Sequence, residues 1–163
     1  MEKLKYQLLS IGLISILILL LVSCTSNTVF EENKQIKENW LKNDTLIFKV
    51  EIIDLSLQYN FYVNIRNSTN YGFSNFYFFM NSVFPDGSLR RDTIECILAN
   101  LEGKWFGKGF GGIKENNLLL QKGIIFPQQG MYEFRIEHAM RVDEKEGLQG
   151  IKNVGIRIEK VIN

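Results

Sequence analysis

The chain has 163 residues, enough for one domain. Its 19 Lys and Arg against 18 Asp and Glu give a net charge of +1, which leaves no electrostatic excess with which to hold a nucleic acid. At 45% hydrophobic and 23% charged the composition is that of a globular protein, while one histidine and two cysteines are too few for a zinc site of Cys and His alone or for a multi-disulfide scaffold.

Residues 1–23 read as a signal peptide and not as part of the fold. Lys3 and Lys5 form a basic n-region, and the apolar run from Leu8 to Val22 falls short of the roughly 20 residues a spanning helix needs. The run ends in Leu21-Val22-Ser23-Cys24, which resembles the lipobox of bacterial lipoproteins. There the thiol is alkylated by a diacylglyceryl group before a peptidase cuts in front of it. Cys24 is then the mature N-terminus, anchored by its acyl chains, each buried methylene contributing about 0.8 kcal/mol. The mature chain carries 17 basic and 17 acidic residues. Residues 24–39, mostly polar, are expected to form the lipidated N-terminus and a tether, with Phe30 and Ile36 the only large side chains able to dock on the domain. No acidic cluster of the sort that resembles a surface-export signal of lipoproteins follows Cys24, which favours a domain facing the periplasm.

From residue 40 to 163 the dominant period is two. Leu46, Phe48, Val50 and Ile52 alternate with Lys49 and Glu51, the pattern of a half-buried strand. Phe61, Val63 and Ile65 form a second, closed by Asn67-Ser68-Thr69-Asn70. From Phe73 to Val83 both faces are apolar, predicting an inner strand. Pro85-Asp86-Gly87-Ser88 turns the chain. Extended segments follow over Thr93 to Leu101 and Leu118 to Phe126, with Gly103 to Gly112 between them, then Pro127-Gln128-Gln129-Gly130 as a turn, and strands through Tyr132, Phe134, Ile136 and through Val154, Ile156, Ile158. Seven or more short strands and no amphipathic helix of ten residues predict an all-β antiparallel sandwich, of jelly-roll or immunoglobulin-like type.

Candidate chemistry is sparse. Gly107-Lys108-Gly109-Phe110-Gly111-Gly112 satisfies G-x-G-x-x-G but lacks the strand before it and the helix after it that a dinucleotide site requires. Trp105, Phe106 and Phe110, interleaved with Lys104 and Lys108, read as a stacking platform for sugar rings or as a glycine-rich loop whose Trp105 plugs the end of the core; the second is favoured because aromatics anchor cores more often than they bind ligands. Cys96, in register with Ile94 and Leu98, has the pattern of a buried structural cysteine, although with His138 it is the only thiol and imidazole pair available for a hydrolase. His138 reads as a satisfied histidine at a strand end, and Asp143-Glu144-Lys145-Glu146-Gly147 as a solvated turn and not a calcium loop. No metal site is expected. Asp44-Thr45-Leu46 and Asp92-Thr93-Ile94 look like acceptors of periplasmic O-glycosylation in Bacteroidetes, or like strand starts.

Across the mature chain, Trp40-x-x-x-Asp44-x-x-x-Phe48, Ile65-Arg66-Asn67, Tyr71, Asn75-Phe76-Tyr77-Phe78, Pro85-Asp86-Gly87, the run from Leu98 to Gly109, His138-Ala139-Met140-Arg141 and Gly150-Ile151 to Glu159 occur in order behind a lipobox. In this it resembles the gliding motility lipoprotein GldH family of Bacteroidetes. Tyr71-Gly72-Phe73 stands where a proline-containing aromatic pair is expected, and Asn100 where an aspartate is common. The resemblance implies a lipid-anchored envelope component required for gliding and linked functionally to type IX secretion. It implies neither enzymatic activity nor a cofactor, and it places the protein at a membrane facing the periplasm, the outer membrane before the inner. Such a protein acts by touching other envelope proteins. Arg66, Asn67, Tyr71, Trp105 and Arg141 are the candidate contact residues, since Tyr, Trp and Arg dominate binding hot spots. A module binding envelope carbohydrate or peptidoglycan through Trp105, Phe106 and Phe110 is the alternative.

Overall fold

The computed structural model describes residues 27–162. Eight strands run in chain order: β1 (Thr28–Gln35), β2 (Leu46–Ile52), β3 (Tyr59–Ser68), β4 (Asn75–Val83), β5 (Leu89–Ile97), β6 (Ile113–Ile124), β7 (Gly130–His138) and β8 (Ile151–Lys160). They form two four-stranded sheets ordered β1-β8-β3-β6 and β2-β7-β4-β5, with every pairing antiparallel. Consecutive strands mostly lie in opposite sheets, so the chain winds around the core as a jelly roll. Of the two sandwich types expected, the immunoglobulin type would use seven or nine strands in a different order.

The core is the meeting of the two period-two faces. Phe61, Val63, Ile65, Val154, Ile156 and Ile158 of the first sheet oppose Phe48, Val50, Phe76, Phe78, Phe134 and Ile136 of the second, all buried. Phe61 and Phe134 meet edge-on across the gap at 5.0 Å between ring centroids. Each such side chain contributes about 1.5–3 kcal/mol by leaving water. β4, apolar on both faces, does take an inner position, between β7 and β5. Its outer-face Phe79 is covered by the Arg91 guanidinium, 4.1 Å above the ring.

The largest departures from the sequence reading are at β1, β5 and β6, each for a physical reason. The tether expected over 24–39 contains a strand: β1 pairs with β8 along Thr28–Gln35, so the domain begins before residue 40. Its inward positions are Thr28, Phe30, Glu32 and Lys34, of which only Phe30 is apolar. Lys34 lays its stem over the core with its ammonium 5.4 Å above the Phe48 ring and 2.9 Å from Glu32. Phe30 packs on the core and Ile36 is buried in it. β5 starts four residues earlier than expected and ends at Ile97, because its charged half, Arg90 to Asp92, lies on an exposed edge strand where no apolar alternation is needed. β6 starts at Ile113 because Lys114 to Asn117 pair with Asn64 to Asn67 of β3 despite their polarity. The signal peptide and Cys24 lie outside the described residues.

The strand register sorts the connections onto the two ends of the sandwich. Residues 36–45, 69–74, 98–112 and 139–150 gather at one end, beside Asn67, Ile113 and Ile151. Residues 53–58, 84–88 and 125–129 gather at the other, beside Tyr59, Ile124 and Lys160, where β1 also begins.

Candidate functional site

All five candidate contact residues fall at the end that carries the long loops, but not in one role. Arg66 is exposed on the outer face of β3, 4.0 Å from Glu115, and Arg141 is exposed in the β7–β8 loop. Asn67 and Tyr71 are buried, which corrects their assignment to a contact surface. Asn67 Oδ1 accepts from Asn116 Nδ2 at 2.9 Å, an amide pair that braces β3 against β6. A buried amide is held this way because an unpaired one costs about 1–3 kcal/mol. The Tyr71 hydroxyl donates to the Asn75 carbonyl at 3.0 Å, and burial raises its pKa. Trp105 is half-buried against the core, its ring centroid 6.4 Å from that of Tyr71. It plugs this end of the sandwich.

A second plug sits beside it. Trp40 is buried, its Nε1–H donates to the Asp44 carbonyl at 2.7 Å, and its backbone exchanges two hydrogen bonds with Leu148. Its ring contacts Phe76 and, edge-on, His138 at 5.5 Å. Trp40 thereby fastens the β1–β2 loop to the β7–β8 loop. Tyr71 does the same for its neighbours through Gly150, at φ +88, where an added Cβ would lie 2.8 Å from the Tyr71 Cα.

What this end offers to the outside comes from residues 98–112. The first bend is an Asx turn: Asn100 Oδ1 accepts from the backbone N–H of Glu102 (3.1 Å) and of Lys104 (2.8 Å), with Gly103 at φ +80. The acceptor is a side-chain oxygen that aspartate also has, so asparagine serves here equally well. The bend leaves Leu101 fully exposed at its tip. In the second bend, Lys108 and Glu115 exchange backbone hydrogen bonds of 2.9 and 2.7 Å, and Gly109 passes so close to the Ile113 carbonyl that a Cβ would stand 2.7 Å from it. The glycines of G-x-G-x-x-G therefore shape a tight turn into a strand. No helix follows, and Phe110 projects fully exposed from the tip, with Phe106 more than half exposed beside it. Phe106 and Phe110 stand clear of the surface while Trp105 does not, so no three-ring platform is presented. Leu101 was not singled out in the sequence, although an apolar residue between the turn formers Asn100 and Gly103 is the signal that could have found it.

A cleft of about 680 Å³ opens on the same end between Phe79, His138, Met140, Arg141, Val142 and Glu144. Its charges are largely matched: Lys42 lies 3.0 Å from Glu144, Arg91 lies 3.7 Å from Glu137, and Thr45 donates to Glu137 at 3.2 Å. His138 is 2% exposed, and its ring nitrogens make no well-formed hydrogen bond to Glu137 or Arg141, the neighbours expected to satisfy it. Burial lowers its pKa, the Trp40 backbone acting the other way. Cys96 and His138 lie on β5 and β7, on either side of β4, at the levels of Phe76 and Phe78. Strand spacing puts their Cα atoms about 12 Å apart. Burial, with Glu95, raises the Cys96 pKa to about 12, so the thiol is protonated at neutral pH. Thr45 precedes β2, whereas Thr93 is exposed in the middle of β5 and so does not begin a strand. Among the described residues no group of three or more His, Cys, Asp or Glu could hold a metal ion, and no helix is long and apolar enough to cross a membrane.

Comparison with known proteins addresses the whole domain. The gliding motility lipoprotein GldH homolog of Christiangramia forsetii is 37% identical over 150 residues, 90% of this chain and 92% of its own. The gliding motility lipoprotein GldH of Flavobacterium johnsoniae is 35% identical over 153 residues, 91% of this chain and 95% of its own. The infectious bursal disease virus VP2 subviral particle aligns at a TM-score of 0.23 with 11% identity, over 83% of this chain and 40% of that one, too slight a likeness to build on. The family model described as GldH lipoprotein matches residues 28–158, which run from the first residue of β1 nearly to the end of β8. The chain belongs to the GldH lipoprotein family.

Proposed function

We propose that this lipid-anchored envelope protein of gliding motility works without catalysis, by presenting the tips of residues 98–112 to another envelope protein of the gliding and type IX secretion machinery. One observation carries the reading: Leu101 and Phe110 stand fully exposed, with Phe106 beside them, on glycine-shaped turns backed by Trp105 and the Asn67–Asn116 pair. Large apolar side chains held out on a rigid base are the makings of a contact anchor. Around these tips Lys104, Lys108, Lys114 and Arg66 outnumber Glu102 and Glu115, so the rim is on balance basic and suits an acidic partner surface. Acylation of Cys24 would hold the domain at a membrane facing the periplasm, the outer membrane in preference to the inner. Confinement there raises the effective concentration of the protein towards membrane partners, so a small contact suffices.

The test replaces Leu101→Asp and Phe110→Asp together in the native organism. The expected result is loss of gliding and of co-purifying gliding proteins, with the amount of protein and its membrane fraction unchanged. Unchanged co-purification overturns the assignment of this surface. Recovery of the lipidated protein on peptidoglycan alone overturns partner binding in favour of a glycan-binding module.

A further inference from the structure

The opposite end of the sandwich has no long loops, yet it too is rich in exposed aliphatic side chains. Ile53 follows the last residue of β2, Ile125 follows the last residue of β6, and Ile162 lies just beyond β8; each is more than 60% exposed. Leu89 opens β5 opposite Val83, and Val29 stands at the start of β1; both are exposed as well. The pairings of Ile52 with Gly130 and of Tyr59 with Ile124 and Lys160 put these positions at the same end of the two sheets. The surface is built on a firm base. Inside it, Tyr59, Phe126, Tyr132 and Phe84 form a chain of ring contacts at 5.4, 4.9 and 5.5 Å. Tyr59 donates to the Asp54 carbonyl and Tyr132 to the Gln128 carbonyl, which fixes the loops that carry Ile53 and Ile125.

This is also the end at which the chain arrives. The Asn27 carbonyl accepts from the Lys160 N–H at 2.8 Å, so the backbone is fastened to the sandwich only three residues after Cys24. Three residues span at most about 11 Å when fully extended. The interfacial layer on each side of a bilayer core is itself about 5–8 Å thick. An acyl-modified Cys24 with its chains in the hydrocarbon therefore leaves no room for the domain to stand off from the surface. Since β1 occupies residues 28–35, the chain cannot supply the longer spacer its polar composition suggests.

We propose that this end is a membrane seat: Val29, Ile53, Leu89, Ile125 and Ile162 enter the headgroup layer of the bilayer that holds the acyl chains, so that the sandwich stands in one orientation with the tips of 98–112 pointing away. The inference rests on the acylation of Cys24 proposed above. The occupant is a lipid surface of no particular charge, because exposed Lys122 and Lys160 are balanced here by Asp54 and Asp86. Those two carboxylates are already occupied. Asp54 Oδ1 accepts from the Ser56 N–H and hydroxyl, Asp86 Oδ1 from the Ser88 N–H and hydroxyl, and Asp86 Oδ2 from Gln128. Acceptors already engaged in hydrogen bonds lose less on approaching a headgroup layer than bare ones. Apolar side chains at such a boundary bind through the area they remove from water, so the seat is insensitive to salt.

The experiment uses the full acylated protein in phosphatidylcholine vesicles whose acyl chains carry bromine quenchers, with single reporters placed by Ile53→Trp, Ile125→Trp and Phe110→Trp over the background of Trp40 and Trp105. The first two are expected to be quenched at least threefold more than the third, with no change between 50 and 500 mM salt. Protein that floats with the vesicles yet shows equal quenching at all three positions, or strongest quenching at 110, overturns the seat and leaves the anchor standing. A chain whose Cys24 is found unmodified by mass spectrometry, and which does not float, overturns the anchor and the seat with it. Circular dichroism unchanged from the unsubstituted protein secures the comparison, since all three positions are exposed.

Discussion

The two ends of the sandwich are built to different plans. At the end where β1 begins, the connections 53–58, 84–88 and 125–129 are short and lie against a continuous aromatic cluster. At the other end the connections 36–45, 98–112 and 139–150 are long, and two tryptophans are set among them as plugs. Long loops without their own secondary structure are disproportionately functional, because a rigid scaffold lets them vary. Here they are also costly to hold, and the polar pair Asn67–Asn116, the Tyr71–Gly150 contact and the Trp40–Leu148 bridge are the devices that hold them. One end closes the core; the other closes it and presents something.

The largest test of that difference is Trp40→Ala. Removing a fully buried tryptophan costs about 3–5 kcal/mol, and here it also frees the two loops that Trp40 joins. Hydrogen exchange should show lost protection at Leu148 and Ile36, whose bonds to Trp40 and Lys152 tie the loops down, while Tyr59 and Tyr132 at the far end stay protected. Uniform loss of protection would mean that the two ends unfold as one unit and that the distinction is only architectural.

A smaller effect compares two glycines with nearly the same backbone angle. Gly150 has φ +88 and Gly87 has φ +83, so alanine is strained at both. An added Cβ at Gly87 meets open space, whereas at Gly150 it would collide with the Tyr71 backbone. The strain alone is worth about 1 kcal/mol, and the collision adds about 2 kcal/mol of overpacking. Denaturant melts should therefore place Gly150→Ala about 2 kcal/mol below Gly87→Ala. Equal losses would show that Tyr71 gives way easily and is not a brace.

Most of the sandwich was legible from period two, because strands with one face in the core write that face into alternate residues. β2, β3, β7 and β8 are of this kind. β1 was not, since Lys34 covers the core with its stem and Glu32 neutralises its head, which in the sequence reads as a polar spacer. The contact residues were legible as a region and not as individuals. Asn67 and Tyr71 mark the right end, but their residue types suit bracing as well as binding, and only burial separates the two roles. Leu101 and Phe110 were the reverse: apolar letters that composition counts towards a core, exposed because turn chemistry at Asn100 and Gly109 projects them.

The smallest predicted effect sharpens the contrast by pH. His138, buried beneath the loop end, has its pKa lowered by burial below the ordinary value of 6.5. Above pH 6.5 the ring is neutral folded and unfolded, and it contributes no pH dependence. As pH falls through 6.5 the unfolded chain takes up a proton that the folded chain resists, so stability declines with a slope of at most about 1.4 kcal/mol per pH unit until the folded pKa is reached. The aromatic end holds an acid instead: Asp86, held near a pKa of about 2 by the Ser88 hydroxyl and Gln128, contributes stability that is full above its ordinary 3.8 and is lost as pH falls from there towards about 2. The two responses begin at different pH, the first below 6.5 and the second below 3.8. Melting temperature recorded between pH 7.5 and 5.0 should therefore fall in the native protein, stay nearly flat in His138→Phe, and still fall in Asp86→Asn; a slope that survives in His138→Phe would assign the pH response to some group other than this imidazole.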